Sequence, residues 1–163
     1  LYKGTGVGGS EDCSTGVAIN YEAHPGFDYK ASIGALVRAS APGVVVNFTG
    51  QRCIPKGLPS CSIMGAVAIM HHGGYITQYL HLSSISVNAG DKIIDGQSIG
   101  FSGDVGVPGV PHLHFEVLRK IPGSTGDSVT DYKVVDPYGW QGDWVDPLES
   151  VTGFKNICLW ENC

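Results

Sequence analysis

A mainly β domain, a compact antiparallel sheet with a loop-walled groove and little helix, is the fold class the sequence predicts. Three observations lead there. The 24 glycines and nine prolines of the 163 residues lie between apolar runs and follow no fixed period, as tight turns between strands require. The apolar runs Val44–Phe48, Ala66–Met70, Tyr75–Leu80 and Leu113–Leu118 are rich in β-branched or aromatic residues and too short for free-standing helices. No long stretch keeps the helical period with caps at both ends.

Taken in order, residues 1–20 are Gly- and Ser-rich and weakly patterned, an arm or loop laid over the domain. From Ala35 onward the strand-like runs begin. Gly73-Gly74 between two of them is a hairpin signal, and Asn88-Ala-Gly-Asp91 and Asp95-Gly96 mark further turns. Long loop segments, Cys53–Ser62 and Pro122–Asp136, could wall a groove. The closing segment repeats Val-Asp-Pro at 135 and 145 and reads as a tryptophan-containing tail packed across the sheet. The length suits one domain over 1–163, a size that buries roughly 70% of the surface of the unfolded chain.

Composition narrows the function classes. A formal net charge of -5 excludes a nucleic-acid binder, which needs clustered Lys and Arg. No apolar run approaches the roughly 20 residues that span a bilayer. The chain begins at Leu1 with no leader pattern, as expected of a mature secreted protein freed of its leader and a pro-segment. Cys53 and Cys61 bracket one short loop and Cys158 and Cys163 another; both spacings suit disulfides and hence an oxidising compartment. Cys13 is left over, either as a buried thiol or as the partner that displaces one of these pairings.

The chemistry-bearing residues are histidines. His24 and Asp28 stand four apart in HPGFD, where Pro25 and Gly26 disfavour a helix and a tight loop is expected to bring both to one spot. His112 and His114 stand two apart in PHLHFEV and share one face of a strand. His81 ends the run YITQYLHL. Two imidazoles and a carboxylate make a catalytic zinc set with one position open for water. The surplus imidazoles are what a hydrolase needs for proton transfer and charge stabilisation. The chain has no H-E-x-x-H, so the base is expected to be a histidine.

HPGFD, YLHL at 79–82, SGDVG at 102–106, PHLHFEV at 111–117 and the intervening AGDKIIDGQSIGFSG together resemble the lysostaphin-like (beta-lytic, staphylolysin-type) zinc endopeptidases. The resemblance covers roughly residues 20–120, with a weaker match through the DPYGW tail. It implies a 21–120 core and a 121–163 loop and tail. It also implies that one Zn²⁺ is held by His24, Asp28 and His114, with His81 and His112 as the catalytic pair. A tyrosine facing the oxyanion is a further family feature, for which Tyr138 and Tyr21 are the candidates. The implied substrates are glycyl bonds in peptidoglycan cross-bridges and in glycine-rich proteins such as elastin, cleaved by a secreted monomer.

Two other classes compete. A non-catalytic wall-binding module of the same fold has no need of all five side chains, and a two-His-one-carboxylate iron oxygenase has no need of two further imidazoles. His71 and His72 read as turn residues, and Trp140, Trp144 and Trp160 as packing anchors of the tail. Asp104 is placed by sequence at the border of the expected groove. Glu116, two residues after His114, either orients a neighbouring imidazole or pairs with a surface cation.

Overall fold

The computed structural model describes residues 26–46, 65–139, 149 and 157–160. Among them the elements are strands β1 (Phe27–Lys30), β2 (Leu36–Arg38), β3 (Gly43–Val46), β4 (Val67–Met70), β5 (Tyr75–Leu80), β6 (Leu82–Ile85), β7 (Lys92–Ile93), β8 (Ser98–Ser102), β9 (His112–Lys120) and β10 (Tyr132–Val135). Two single-turn 3-10 helices, His72–Gly74 and Val129–Asp131, accompany them.

The strands form two antiparallel sheets. The larger runs β1-β9-β5-β4-β3-β7, and the smaller runs β2-β8-β6. β9 is the spine of the large sheet. One edge pairs with β5 from His114 to Arg119. The other is shared, β1 taking His112–Phe115 and β10 taking Val117–Lys120. Nine consecutive residues with few turn formers, HLHFEVLRK, are long enough to serve both partners.

Alternation along β9 separates two faces. Phe115 and Val117 point to the larger core cluster with Val45, Val67, Ile69 and Tyr79, which packs on Val37, Leu82 and Ile99 of the small sheet. His112, His114, Glu116 and Leu118 share the opposite face. There Leu118 closes a second cluster with Ala68, Ile76 and Tyr132. The histidine face therefore carries polar chemistry at one end of β9 and an apolar patch at the other.

The large core holds one polar chain. The Ser40 amide donates to the Tyr79 hydroxyl at 2.8 Å. Thr77 Oγ1 lies 3.3 Å from that hydroxyl and 2.7 Å from His71 Nε2. His71 Nδ1 is 2.8 Å from the Pro42 carbonyl, so the chain links three segments and satisfies groups that burial would otherwise leave unpaired. His71 is thus structural, as its place before the hairpin turn suggested.

The described parts of the four apolar runs fall largely on β3, β4, β5 and β9, with Asn47 and Phe48 outside the described residues, and Gly73-Gly74 turns the β4–β5 hairpin with both glycines at positive φ. Two expectations differ from what is found. Asp28 sits on strand β1 rather than in a tight loop, because strand alternation lets the half-buried Tyr29 pack beside Phe115 and Phe27 beside Tyr138. The expected wall loop Pro122–Asp136 ends in strand β10, whose Tyr132, Val134 and Val135 are buried. The Cys53–Ser62 loop, Cys13 and the 1–20 arm lie outside the described residues.

Candidate active site

The β1–β9 pairing builds the centre of the site. Asp28 stands directly opposite His114 in the antiparallel register, so both side chains leave the sheet on the same face. Asp28 Oδ1 lies 2.9 Å from His114 Nδ1, and Glu116 Oε1 lies 2.9 Å from His114 Nε2. Glu116 is 2% exposed, and its position two residues along β9 keeps it on the imidazole's face. It orients that imidazole, the first of the two readings its sequence position allowed.

Gly26 makes this arrangement possible. A Cβ at Gly26 would lie 2.8 Å from Glu116 Cγ and 2.9 Å from His114 Nε2, and would press on the Phe115 carbonyl. The glycine of HPGFD is therefore a steric requirement of the His114–Glu116 pair and not only a turn former.

His112 and His81 complete the cluster. Asp28 Oδ1 is 3.6 Å from His112 Nε2. The ring centres of His81 and His112 are 4.6 Å apart, and those of His81 and His114 6.0 Å. His81 lies between β5 and β6 with φ 65, the one non-glycine residue at positive φ among the described residues. Such backbone strain concentrates at functional sites. It swings His81 out of the strand alternation and toward His112.

Both of these imidazoles are held by backbone carbonyls. His81 Nδ1 is 2.8 Å from the Val105 oxygen, and His112 Nδ1 is 2.6 Å from the Val110 oxygen. A carbonyl only accepts, so each Nδ1 donates, and in the neutral imidazole the lone pair then lies on Nε2.

The electrostatics divide the three histidines. Burial pushes His81 below the usual imidazole value, assisted by the neighbouring His112 and His114 against the Val105 hydrogen bond and Asp28; it is a neutral base at neutral pH. Burial also works against charging His114, but hydrogen bonds and charges from Asp28 and Glu116 outweigh it and raise it to about 9. The metal-free protein thus holds an imidazolium between two carboxylates.

A divalent cation could take the place of the proton between Asp28 and His114. Two donors each about 2.0–2.1 Å from a tetrahedral zinc ion stand about 3.3 Å apart, close to the 2.9 Å between Asp28 Oδ1 and His114 Nδ1. The donor types, one carboxylate and one imidazole backed by a second carboxylate, suit zinc. Among the described residues no three His, Cys, Asp or Glu side chains form a metal-holding group. Asp28 and His114 offer two of the three expected donor side chains, and His24, the third, lies outside the described residues.

Of the two tyrosine candidates, only Tyr138 is among the described residues; Tyr21 lies outside them. The Tyr138 ring packs edge-on against Phe27 at 5.1 Å and near Trp160 at 5.8 Å, with residues of the face away from Asp28 and His114. Its hydroxyl lies 3.5 Å from that of Tyr29, and burial together with this contact raises the Tyr29 pKa. Trp160 also meets Phe115 at 6.1 Å, the packing role expected of a tail tryptophan. Cys158 is disulfide-bonded; Cys53, Cys61 and Cys163 lie outside the described residues. Sequence reasoning did not single out the carbonyls of Val105 and Val110, since a backbone acceptor leaves no side-chain signature.

Comparison with known proteins agrees with this geometry. Residues 22–136 match the profile of Peptidase family M23. Lysostaphin of Staphylococcus simulans is 30% identical over 141 residues, 85% of this chain and 27% of its own length. The peptidoglycan DD-endopeptidase ShyA of Vibrio cholerae is 40% identical over 95 residues, 58% of this chain and 20% of its own length. This chain thus spans about a quarter or less of these relatives. Among solved structures, the catalytic domain of lysostaphin from Staphylococcus simulans superposes with a TM-score of 0.53 at 27% identity, covering 81% of this chain and 86% of that one. The catalytic domain of the M23 protein EnpA from Enterococcus faecalis gives 0.52 at 28% identity, over 73% and 79% of the two chains. With the family profile spanning Asp28, His81, His112 and His114, the chain belongs to peptidase family M23, as a lysostaphin-like zinc metallopeptidase domain.

Proposed function

We propose that this chain is a secreted endopeptidase that cleaves peptide bonds in bacterial peptidoglycan, glycyl cross-bridges first among them. The observation that carries the reading is the convergence of Asp28, His114, His112 and His81 on one face of the sheet, with Nδ1 of both His81 and His112 engaged by backbone carbonyls. Lysostaphin and the named peptidoglycan DD-endopeptidase supply the substrate class by analogy.

In this reading His24, Asp28 and His114 hold one zinc ion. The metal, when bound, supplies a Lewis acid and a water of lowered pKa. Nε2 of one of His81 and His112 takes the proton of the attacking water. That imidazole later gives the same proton to the leaving amine, while the other, carrying a proton on Nε2, stabilises the charge that develops on the substrate oxygen. Burial of His81 favours the neutral form that accepting a proton requires. Glu116 fixes the His114 ring by accepting from its Nε2 side. Secretion is supported by the disulfide at Cys158; among the described residues no helix is long and apolar enough to cross a membrane. A single domain working as a monomer is sufficient for all of these roles.

The test is digestion of purified peptidoglycan, a pentaglycine peptide and elastin, with the cleaved bond located by mass spectrometry. Release of new glycyl amino termini from the wall supports the proposal. Tight wall binding without any cleavage, by protein loaded with zinc, would leave a non-catalytic binding module.

A further inference from the structure

The loop between β8 and β9 is built around one side chain. Asp104 Oδ2 accepts the Gly109 amide at 2.8 Å across the loop. The Asp104 carbonyl accepts the Val107 amide at 2.9 Å, and the Val107 carbonyl accepts the Val110 amide at 3.2 Å. At the base, the His112 amide donates to the Gly103 carbonyl at 3.1 Å. Gly103 lies so close to the turn after β5 that a Cβ there would come within 2.9 Å of the His81 carbonyl and 2.7 Å of the Ser83 nitrogen. The loop is thus pressed against the very segment that carries His81.

The residues next to this tether do something specific. Val105 follows Asp104 and offers its carbonyl to His81 Nδ1; Val110 follows Gly109 and offers its carbonyl to His112 Nδ1. The Asp104–Gly109 bond joins the two ends of the loop at the points adjacent to those carbonyls. Its length therefore sets where both acceptors lie.

We propose that Asp104 is a positioning residue for proton transfer: its carboxylate ties the loop so that Val105 and Val110 hold the Nδ1 protons of His81 and His112, leaving both Nε2 atoms for the reaction. The inference rests on the reading of His81 and His112 as the catalytic pair. Asp104 itself touches neither imidazole in the contacts above; it acts through the backbone. A free imidazole in water exchanges between two neutral tautomers, and the wrong one would present an N–H where a lone pair is needed. Fixing both rings with one tether removes that loss from the reaction, in the way that orientation of catalytic groups lowers a barrier.

The experiment compares zinc-loaded wild type with Asp104→Ala and Asp104→Asn. The tautomers of His81 and His112 are read from the nitrogen NMR shifts of their rings, assigned with His81→Ala and His112→Ala. Turnover on peptidoglycan fragments and zinc content are measured alongside. The Asn amide oxygen can still accept the Gly109 N–H, whereas Ala cannot. The expected result is that Asp104→Ala lowers kcat about tenfold or more with KM and zinc content near wild type, and gives Nε2-protonated signal at His81 and His112. Asp104→Asn should restore both readouts.

Two outcomes overturn the proposal: tautomers unchanged in Asp104→Ala, or Asp104→Asn as impaired as Asp104→Ala, which would assign the effect to charge. Retained turnover in both His81→Ala and His112→Ala would instead sink the catalytic-pair reading. The tautomer shifts would still decide whether Asp104 orders the two rings.

Discussion

Gly26→Ala is the most informative single substitution. Its added Cβ would meet Glu116 Cγ at 2.8 Å and His114 Nε2 at 2.9 Å, and would press on the Phe115 carbonyl. Ordinary contacts of this kind begin near 3.4 Å, so β1 must retreat from β9 or the His114–Glu116 pair must part, by about half an ångström or more. Overpacking of this size costs about 1–3 kcal/mol. The same displacement moves Asp28, two residues along β1, relative to His114, which it now meets at 2.9 Å. A shift of that order in a ligand constellation should weaken zinc binding on the order of 10- to 100-fold. The assay is competition for zinc against a chromophoric chelator, paired with thermal melts. Gly90→Ala is the control: open space surrounds that position and its φ is 94, so it costs about 1–2 kcal/mol of strain and leaves zinc affinity alone. Wild-type zinc affinity in Gly26→Ala would refute the claim that this glycine makes room for the metal-side pair.

Three further outcomes are expected. His114→Ala should lose both zinc and activity, while His81→Ala should keep zinc and lose turnover by on the order of a hundredfold, read by metal analysis and peptide hydrolysis. Glu116→Leu should weaken zinc binding about 10- to 100-fold in the same competition assay, with the Asp28 side of the site intact. In the metal-free protein the His114 imidazole is raised from 6.5 to about 9, which corresponds to about 3 kcal/mol. That contribution is fully present below pH 6.5 and is lost as pH rises through about 9, so the metal-free melting temperature should fall over that interval. An unchanged or rising melting temperature there would contradict the assignment of charge to His114.

Much of the architecture was legible because it rests on local patterning. The runs Tyr75–Leu80 and Leu113–Leu118 are strand-like by composition and did form β5 and the middle of β9. The spacing of His112 and His114 fixed their common face, since strand alternation has a period of two. Strand β10 was hidden because Tyr132-Lys-Val-Val follows a loop rich in Gly, Ser and Asp, and its identity comes from the free edge of β9 that it fills. The placement of Asp28 on β1 depends likewise on partners far away in sequence, Leu113 to Phe115.

The site divides in the same way. His81, His112, His114 and Asp28 could be named from residue type and order, and the described structure brings all four together. The features that orient them could not. The positive φ of His81, the carbonyls of Val105 and Val110 and the space left by Gly26 are backbone properties that emerge only when β1, β5 and β9 are side by side. Tyr138 packs its ring against Phe27 and near Trp160, contacts between residues far apart in sequence that its position alone does not reveal.

The central claim is that this cluster is a zinc-dependent peptidase centre, and metal removal tests it most directly. The purified protein is assayed for hydrolysis of peptidoglycan fragments and pentaglycine as prepared, after exhaustive chelation, and after return of one equivalent of zinc. The account predicts cleavage that vanishes with the metal and returns with zinc, in wild type but not in His114→Ala. Cleavage that persists through chelation would contradict it.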